Sequence, residues 1–272
     1  MRVAVVGHVE WIEFVRVDHA PGAGEIVHAL EAWEEVGGGG AVSAVQLARL
    51  AGECTFLTAL GDDELGHRSA HQLAELGVHV EPVWRPEPQR RAFVHVDEAG
   101  ERTITVIGER LGPHGDDPLP WGSLAECDAV YFTAGDAAAL AAARAARTLV
   151  ATMRAREALD ANVQLDALVA SATDAGEAYD ERELDPPPAA VVRTEGARGG
   201  SVVVDGVARR WRAADLPGPI VDAYGAGDCF AAGLTFALGN GLEPAEAAAV
   251  GAECGAACMT RRGPYGAHGG PL

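Results

Sequence analysis

The sequence predicts an α/β protein whose doubly wound, mostly parallel sheet is flanked by helices and carries a small β lid. A short β-rich run opens the chain, strand-like and helix-like segments alternate strictly after residue 124, and two segments interrupt that alternation. Strict alternation is typical of a parallel sheet with helices on both faces. We therefore expect a single domain over residues 1–272, with lid strands from about 8–34 and 90–107.

The first segments predict strands and helices in turn. RVAVVG (2–7) is β-rich, and residues 8–16 and 25–34 alternate apolar and polar positions as half-exposed strands do. GGGGAVSAVQLARLAG then predicts a loop and a helix that ends at Gly52. TFLTALG predicts the next strand, GDDELG a turn, and HRSAHQLAELG a helix that ends at Gly77.

Residues 90–107 predict a hairpin of two alternating strands around an acidic turn at Gly100. An exposed hairpin inside an α/β chain suggests a flap. Because residues 8–34 interrupt the β and α alternation in the same way, we expect both segments to join in one small lid.

The region after residue 124 predicts the regular part of the sheet. Its segments are a strand DAVYFT, a helix DAAALAAARAAR, a strand TLVATM, a helix REAL, a strand ALVAS, a helix AGEAYDEREL and a strand AAVVRT. VVRTEGARGGSVVVDG predicts two strands around a glycine-rich turn, and FAAGLTFALG predicts a further helix.

The charge balance is strongly acidic. Lys and Arg number 21 against 40 Asp and Glu, a formal net charge of −19, which repels nucleic-acid phosphates and anionic lipid surfaces. The chain has no apolar run of the length that spans a bilayer, and its N-terminal apolar run is too short for a secretion signal. We expect a cytoplasmic protein with no nucleic-acid or membrane partner.

The cysteines and histidines give no sign of a metal site. The five cysteines are an odd number without CxxC spacing, which favours reduced, buried thiols over a disulfide framework or a zinc ribbon. HRSAH lacks the acid of the HExxH zinc motif. We expect no metal held by the protein's own cysteine or histidine side chains.

DAYGAGDCF (222–230) predicts a turn into a helix with chemistry at its start. Gly225, Ala226 and Gly227 would present successive N–H groups at a helix N-terminus, which is how backbone binds phosphoryl oxygens. Asp228 in the first turn could accept a proton from an attacking hydroxyl. The alternative is that Asp228 only stabilises the helix N-terminus.

TEGARGG places Thr194, Gly196 and Gly199 in the turn that joins two predicted strands. A nucleotide phosphate or ribose could lie against backbone amides there. The alternative is an ordinary glycine turn, since such turns join strands in many proteins.

These motifs together resemble those of the ribokinase-like PfkB carbohydrate kinases. DAYGAGDCFAAG is similar to the family's D-T-x-G-A-G-D-x-F-x-x-G in residue type and spacing. PGAGE resembles its P-x-x-G-E, GGGG with ARLAG its N-terminal glycine signature, GDDELG its G-D-D-x-x-G, and TEGARGG its T-x-G-x-x-G. The matches occur in the family's order and span nearly the whole chain.

The resemblance implies a ribokinase-like fold of eight or nine strands with a β lid, and an ATP-dependent kinase acting on a sugar or similar alcohol. It implies Asp228 as the base that deprotonates the substrate hydroxyl. It implies the following further roles: Gly225, Ala226 and Gly227 as the anion hole, Thr194, Gly196 and Gly199 beside the nucleotide, and Gly38 and Gly39 near the substrate.

The resemblance also implies partners and ions. Mg²⁺ accompanies ATP in this family, and a monovalent cation often sits near the segment that matches Asp222 and Ala223. Lid strands often pair across a dimer, and an exposed hairpin edge would otherwise need protection. We therefore expect ATP, Mg²⁺, a small-molecule substrate and a homodimer.

The substrate end departs from the family pattern. Val42 and Ser43 stand where the glycine signature usually carries an asparagine that holds sugar hydroxyls, so one substrate contact is lost or moved to the weaker hydroxyl of Ser43. The N-terminal acid that also grips the sugar is replaced by Ile12, with Glu10 and Glu13 as candidate substrate residues nearby. Further departures are Ala223 for threonine, and Asp174 and Glu177 in SATDAGE for the middle motif. An intact catalytic end with an altered substrate end indicates an unusual substrate.

The leading hypothesis is an ATP-dependent kinase that transfers the γ-phosphate to a hydroxyl of a small sugar, polyol or nucleoside. Arg90, Arg91 and Arg102 on the hairpin could meet an anionic substrate such as a sugar phosphate, or could simply be solvated. The alternative function is a non-catalytic sugar- or nucleotide-binding regulator that retains the kinase fold. A dinucleotide-dependent oxidoreductase is disfavoured, because VVGHVEW lacks G-x-G-x-x-G.

Overall fold

The computed structural model describes residues 1–180 and 184–266, which form two sheets and six α-helices. The strands are β1 Val3–His8, β2 Glu10–Arg16, β3 Glu31–Gly37, β4 Cys54–Gly61, β5 Val78–Arg85, β6 Arg91–Val96, β7 Arg102–Ile107, β8 Ala129–Phe132, β9 Thr148–Thr152, β10 Ala167–Ser171, β11 Ala190–Thr194, β12 Gly200–Val204 and β13 Val207–Trp211. The helices are α1 Gly39–Ala51, α2 Glu64–Glu75, α3 Ala137–Ala143, α4 Arg156–Leu159, α5 Ala226–Gly239 and α6 Pro244–Met259.

The larger sheet has nine strands in the order β13-β12-β11-β10-β9-β8-β1-β4-β5. All neighbours from β11 to β5 run parallel, while β12 and β13 add two antiparallel strands at one edge. The chain winds outward from β1 in both directions, so the strand order reverses between β1 and β8. Ligands of doubly wound folds bind at the carboxyl ends of the strands beside such a reversal.

Both faces of the central strands of the larger sheet are buried. Along β1, Val3 and Val5 point into a core shared with α1, α5 and α6, while Ala4 and Val6 point into a second core shared with α3 and α4. A strand that is covered on both faces has apolar residues at successive positions. This explains why apolar and polar residues do not alternate in VAVVG.

The smaller sheet has four strands in the order β3-β2-β6-β7, and its strand β2 begins two residues after β1 ends beside the reversal point. Phe14 on β2 stacks on Trp33 at a 4.8 Å centroid separation and meets Tyr224 edge-on at 5.2 Å. At the tip of the β6–β7 hairpin, the Gly100 carbonyl accepts a hydrogen bond of 3.0 Å from the Ala223 amide. The smaller sheet is therefore joined to the segment that leads into α5.

The fold class predicted from the sequence is confirmed, but several elements differ. The strand predicted over 25–34 is wrong at its start, because β3 runs from Glu31 to Gly37. Residues 25–30 form no strand; the Glu25 carboxylate there accepts from the Gly22 amide and contacts His19. This local turn uses hydrogen-bonding groups that a strand would offer to its neighbour.

The helix predicted over AGEAYDEREL is wrong across its described part. Only Ala175–Glu177 forms a single 3₁₀ turn, capped by the Asp174 side chain, and residues 181–183 lie outside the described residues. β5 and β13 carried no prediction. β5 contains Pro82, and β13 is a mostly exposed, arginine-containing edge strand, so neither shows the usual strand pattern.

Within residues 1–180 and 184–266, no helix combines the length and apolar character needed to cross a bilayer.

Candidate active site

The candidate site lies at the carboxyl edge of the larger sheet, where the N-termini of α1 and α5 meet. Gly39 begins α1 and separates two side chains: a Cβ built on it would lie 3.0 Å from Asp228 Oδ1 and 3.6 Å from His8 Cε1. The Asp228 carboxylate and the His8 ring therefore line one cleft. Glycine at position 39 keeps the space between them open.

A left-handed turn directs the start of α5 into this cleft. Gly225 has φ 78°, and a Cβ there would lie 2.9 Å from Pro264 Cβ and 3.1 Å from Val42 Cγ1. Both the conformation and the packing therefore require glycine. Gly227 follows with no atom within 4 Å of a Cβ position, so open space adjoins the first turn of α5.

The first-turn amides can bind an anion. Within the described residues, the amides of Gly227 and Asp228 donate to no acceptor, while the Ala226 amide makes a long bond of 3.4 Å to the Ala223 carbonyl. Unpartnered N–H groups at the positive end of a helix dipole attract negatively charged oxygens. A phosphoryl group fits this position.

Asp222 fixes the turn from behind. One carboxylate oxygen accepts the Tyr224 amide at 2.8 Å and the other accepts the Gly263 amide at 3.1 Å. The side chain is fully buried, and burial raises its pKa while the two amides oppose that rise. Asp222 therefore holds two loops together, and neither oxygen is presented to the cleft without a partner.

The Asp228 carboxyl is poised close to neutral pH. Burial raises its pKa to about 6, the Arg154 guanidinium opposes the rise, and the Glu177 carboxylate adds to it. A base with a pKa just below the working pH is largely ionised and still accepts a proton readily. The position suits proton transfer from a hydroxyl.

Arg154 and two acids lie near Asp228, after the ends of β9 and β10. Arg154 follows β9, and its guanidinium lies 3.0 Å from Asp174 Oδ2 and 2.5 Å from Glu177 Oε1. The two acids follow β10, the next strand of the sheet. The carboxylate oxygens are hard ligands suited to a divalent cation. The guanidinium beside them can donate hydrogen bonds to a phosphate.

His8 and Glu10 form the opposite wall. His8 Nε2 lies 3.7 Å from Glu10 Oε1, and Arg90 Nε lies 2.7 Å from the same oxygen. Burial holds the pKa of His8 well below its usual value, and Arg110 and Arg90 lower it further, so the ring is neutral. Its Nδ1 is buried without a hydrogen-bond partner among the described residues.

Gly38 lets Glu10 approach the start of α1. Gly38 has φ 86°, and a Cβ on it would lie 3.0 Å from the Glu10 amide nitrogen. Its own amide donates to the Tyr224 hydroxyl at 3.0 Å. The structure therefore brings Gly38, Gly39, Glu10 and Asp228 together around one cleft.

Ser43 lies outside that cleft. Its side chain is 0% exposed, and its hydroxyl donates to the Asp228 carbonyl oxygen at 3.2 Å. Val42 packs against the Gly225 turn. The two residues at the position of the family's asparagine thus support α5 and do not line the cleft.

The residues predicted beside the nucleotide lie farther along the sheet edge. Thr194 ends β11, two strands from β9, and its hydroxyl donates to the Ala170 carbonyl at 3.4 Å. Two strand spacings correspond to roughly 10 Å, the scale of a nucleotide polyphosphate. Gly196 and Gly199 follow with φ 58° and 81°. No hydrogen bond among the described residues joins this turn to Asp228.

Side chains that the motifs did not indicate complete the site, namely His8, Arg110 and Arg154. His8 ends β1 at the strand reversal, and Arg154 directly follows the predicted strand TLVATM. Their positions at strand ends were a usable signal, because such ends meet at one edge of a parallel sheet. Arg110, three residues after β7, gave no such signal.

The hairpin arginines separate into three environments. Arg90 pairs with buried Glu10 inside the cleft, whereas Arg91 pairs with Glu13 on the opposite, solvent-facing side. Arg102 donates to the Ala223 carbonyl at 3.1 Å, next to the turn before α5. Only Arg90 belongs to the wall formed by Glu10.

The cysteines and the histidines of HRSAH form no shared metal-ligand cluster within the described residues. All five cysteines are free thiols. His67 and His71, the histidines of HRSAH, pair with Asp62 and Glu75 respectively. The one cluster of metal-ligating types in the described residues, His114 with Asp116 and Asp117, is largely exposed, and Asp117 already pairs with Arg85.

Comparisons with known proteins identify the family of the chain. The model of the pfkB family of carbohydrate kinases matches residues 1–182 and 169–267. A ribokinase of Dictyostelium discoideum is 32% identical over 108 residues, which are 39% of this chain and 34% of that protein. An ATP-dependent ribose-1-phosphate kinase of Halopiger xanaduensis is 33% identical over 126 residues, 43% and 41% of the two chains. Each match thus spans less than half of the relative.

Solved structures share the fold over nearly the whole chain. A ribokinase of Thermotoga maritima has a TM-score of 0.76 at 23% identity, covering 97% of this chain and 95% of that one. A ribokinase of Arabidopsis thaliana, complexed with ribose and ATP, has 0.74 at 21%, covering 96% and 93%. An adenosine kinase of Sinorhizobium meliloti has 0.76 at 20%, covering 98% and 96%. At these identities the likeness shows the fold.

Proposed function

This chain belongs to the pfkB family of carbohydrate kinases, and we propose that it transfers the γ-phosphate of ATP to a hydroxyl of a small sugar, polyol or nucleoside. One observation carries the proposal: the Asp228 carboxylate lies at the N-terminus of α5, across Gly39 from His8. That arrangement puts a proton acceptor and an anion-binding helix end on one cleft.

Asp228 would act as the base. With its pKa raised to about 6 by burial, most of the carboxyl is ionised at neutral pH. As the acceptor oxygen attacks the γ-phosphorus, its proton passes to Asp228 and the bond to the ADP oxygen breaks. Phosphoryl transfer depends more on positioning than on a strong base, so a carboxylate is sufficient.

The turn from Gly225 to Gly227 would form the anion hole. Negative charge on the transferred group lies opposite the first-turn amides of α5, which stay fixed during the reaction because Asp222 and Gly225 hold the turn. Arg154 on the other side would add a positive charge to the same group. Ala226 contributes less than Gly227, since its amide already contacts the Ala223 carbonyl.

ATP would extend from Asp228 toward the turn of Thr194, Gly196 and Gly199. The acids of the middle segment fit Mg²⁺: Asp174 and Glu177 lie at the edge of the sheet beside Arg154. When bound there, Mg²⁺ would neutralise charge on the β- and γ-phosphates.

A monovalent cation fits less well. Both oxygens of Asp222 already accept backbone amides, and Ala223 offers no side-chain oxygen in place of the family's threonine. We therefore assign no step to such an ion.

The smaller sheet would be the lid over the acceptor, within one ribokinase-like unit that extends over residues 1–272. Glu10 on β2 and His8 at the end of β1 would bind acceptor hydroxyls beside Gly38 and Gly39. Ile12 stands where the family places an acid. Its side chain is fully buried and packs against Gly37, so it would contribute to the core and not to acceptor binding.

We also propose a homodimer formed through the lid. β7 is the edge strand of the smaller sheet, and its side chains Ile104, Val106 and Ile107 are exposed. Exposed apolar edge strands pair readily with another copy. Light scattering should give the mass of a dimer, and a monomer at working concentration would contradict this proposal.

The test of the kinase function is ADP release from ATP and Mg²⁺ across sugars, polyols, nucleosides and their phosphate esters. Asp228→Asn should lower kcat by roughly 10²–10⁴-fold while ATP binding persists, as measured by calorimetry. Asp205→Asn is the matched control, because Asp205 is exposed in the β12–β13 turn.

Two results would count against the proposal. Ligand binding without turnover in the native protein would favour the non-catalytic regulator. Equal activity in the native protein and Asp228→Asn would remove Asp228 as the base.

A further inference from the structure

We propose that Tyr224 is a positioning residue: its hydroxyl holds Gly38, at the start of α1, against the turn before α5, and so sets the distance between a bound acceptor and Asp228. The inference rests on the proposed kinase function and goes beyond it, because it concerns a side chain that takes no part in the proton transfer or in the anion hole.

The backbone of Tyr224 belongs to the turn that leads into α5. Tyr224 directly precedes the left-handed Gly225. Its amide donates to Asp222 Oδ1 at 2.8 Å, and its carbonyl oxygen accepts from the Cys258 thiol at 3.4 Å. The residue is therefore held on both sides and moves only with this turn.

The side chain of Tyr224 reaches the start of α1. Its hydroxyl oxygen accepts the Gly38 amide at 3.0 Å, and a Cβ on Gly37 would lie 3.0 Å from the same oxygen. The Gly38 carbonyl in turn accepts the Val42 amide at 3.0 Å, within the first turn of α1. One side-chain hydrogen bond thus joins the turn before α5 to the start of α1.

Packing fixes the position of this hydroxyl. The Tyr224 ring meets Phe14 of β2 edge-on, with 5.2 Å between the ring centroids and 89° between the ring planes. Tyr224 is only 6% exposed. A ring that is buried and closely packed has few other positions to occupy, so its contact with Gly38 is a defined one.

The segment that Tyr224 holds borders both acids of the cleft. A Cβ on Gly38 would lie 3.0 Å from the Glu10 amide nitrogen, and a Cβ on Gly39 would lie 3.0 Å from Asp228 Oδ1. Burial raises the pKa of Tyr224 well above its usual value, and the Glu10 and Asp228 carboxylates add to the rise. The hydroxyl therefore stays protonated, and its hydrogen bond does not change over the working pH range.

Other contacts between α1 and α5 lie farther from the cleft. Val42 packs on Gly225, and the Ser43 hydroxyl donates to the Asp228 carbonyl oxygen at 3.2 Å. Both lie within α1, whereas the Tyr224 contact lies at its first residues, which border the cleft. Loss of the Tyr224 hydroxyl should therefore displace the start of α1 while the two helices stay packed.

The experiment compares Tyr224→Phe with Tyr265→Phe. Both changes remove only a hydroxyl from a buried ring, but the Tyr265 hydroxyl has no hydrogen-bond partner among the described residues, which makes Tyr265→Phe the matched control. Thermal unfolding shows whether both variants are folded.

Amide hydrogen exchange, followed by mass spectrometry, tests the contact without relying on activity. The peptide that contains Gly38 should exchange about tenfold faster in Tyr224→Phe, because a buried amide loses its acceptor. Steady-state kinetics test the role. In Tyr224→Phe, kcat should fall by about tenfold with KM for ATP unchanged, since a misplaced reacting group costs rate. Tyr265→Phe should match the native protein in both measurements.

A double variant tests whether Tyr224 acts through the start of α1. Gly39→Ala displaces the Asp228 carboxylate at the same place, because the added Cβ would lie 3.0 Å from Asp228 Oδ1. Changes that disturb one geometry are not additive, so adding Tyr224→Phe to Gly39→Ala should lower kcat by less than about threefold.

Other outcomes overturn the inference in distinguishable ways. Faster exchange near Gly38 with unchanged kcat would confirm the contact and remove the positioning role. Equal losses of kcat in Tyr224→Phe and Tyr265→Phe would reduce Tyr224 to general packing. A full loss of kcat on top of Gly39→Ala would assign Tyr224 to a step that does not depend on the start of α1. Absence of turnover in the native protein with every acceptor, with ATP still bound, would remove the proposed function and the positioning role with it.

Discussion

The two ends of the candidate active site differ in the groups that form them: backbone amides at one end and side chains at the other. At the α5 end, the backbone is responsible: Gly225 adopts a left-handed conformation and the first-turn amides face open space. At the opposite end, side chains are responsible: His8, Glu10 and Arg90 come from β1, β2 and the start of the hairpin.

This difference explains why one end is visible in the sequence and the other is not. A backbone anion hole needs glycine at fixed positions, so it leaves a motif that can be read directly. A side-chain wall can be made by many residue types from distant segments. Its members meet because β2 follows the end of β1 and pairs with β6 in the smaller sheet.

Gly225→Ala tests the backbone end and should produce the largest effect among the substitutions that compare the two ends. A Cβ at φ 78° adds strain and would lie 2.9 Å from Pro264 and 3.1 Å from Val42, so the turn must shift away from its present position. We expect kcat to fall by roughly 10²–10³-fold, the loss typical of a damaged anion hole.

The control for Gly225→Ala is Gly77→Ala. Gly77 has a comparable φ of 86°, but a Cβ there meets nothing within 4 Å. It should carry a similar backbone penalty without loss of kcat. Equal loss of kcat in both variants would mean that general strain, not the anion hole, limits activity.

Glu10→Gln tests the side-chain end. It leaves the guanidinium of Arg90 buried without its acid, which should lower the free energy of unfolding by about 2–3 kcal/mol. Urea denaturation measures it. Glu13→Gln removes the exposed partner of Arg91 and should change stability by less than about 0.5 kcal/mol. Equal changes would show that the inner pair is as solvated as the outer one.

Gly39→Ala tests the place where the two ends meet. The added Cβ would lie 3.0 Å from Asp228 Oδ1, so the carboxylate must move. We expect kcat to fall by about tenfold with thermal stability nearly unchanged, because a misplaced catalytic group costs rate. Gly122→Ala, which meets nothing within 4 Å, should leave kcat unchanged. Unaltered kcat in Gly39→Ala would place the reacting hydroxyl elsewhere.

The smallest effect is a pH dependence set by Asp228. Its pKa is raised to about 6 by burial, with Arg154 and Arg102 opposing and Glu177 and Glu10 adding to the rise. Because the base must be ionised, kcat/KM should increase with pH and reach half its plateau near pH 6. A profile flat from pH 5 to 8 would contradict the assignment.

The raised pKa of Asp228 also affects the stability of the folded protein. The folded pKa lies above the ordinary value of 3.8, so this group favours the folded state while protonated, and that contribution is lost as pH rises through about 6. Asp228→Asn should therefore raise the unfolding temperature at pH 7 relative to the native protein. At pH 4 the difference between the two should shrink.

Much of the fold could be predicted, with errors where local chemistry was misleading. AGEAYDEREL has helical composition, but the Asp174 side chain caps a single 3₁₀ turn in its described part, and that acid also pairs with Arg154. β5 escaped prediction because Pro82 suits only an edge strand, and sequence alone does not tell which strands lie at edges.

The sequence by itself determined the parallel sheet and the turn before α5. Periodicity and glycine positions are local properties, and local rules of backbone geometry are sufficient to interpret them. Only the tertiary structure decided that Asp228 faces His8 across Gly39, that Ser43 packs behind α5, and that Arg90 pairs with Glu10. Those relations depend on which strands become neighbours and on the burial that follows, because burial and charge act through space between residues far apart in the chain.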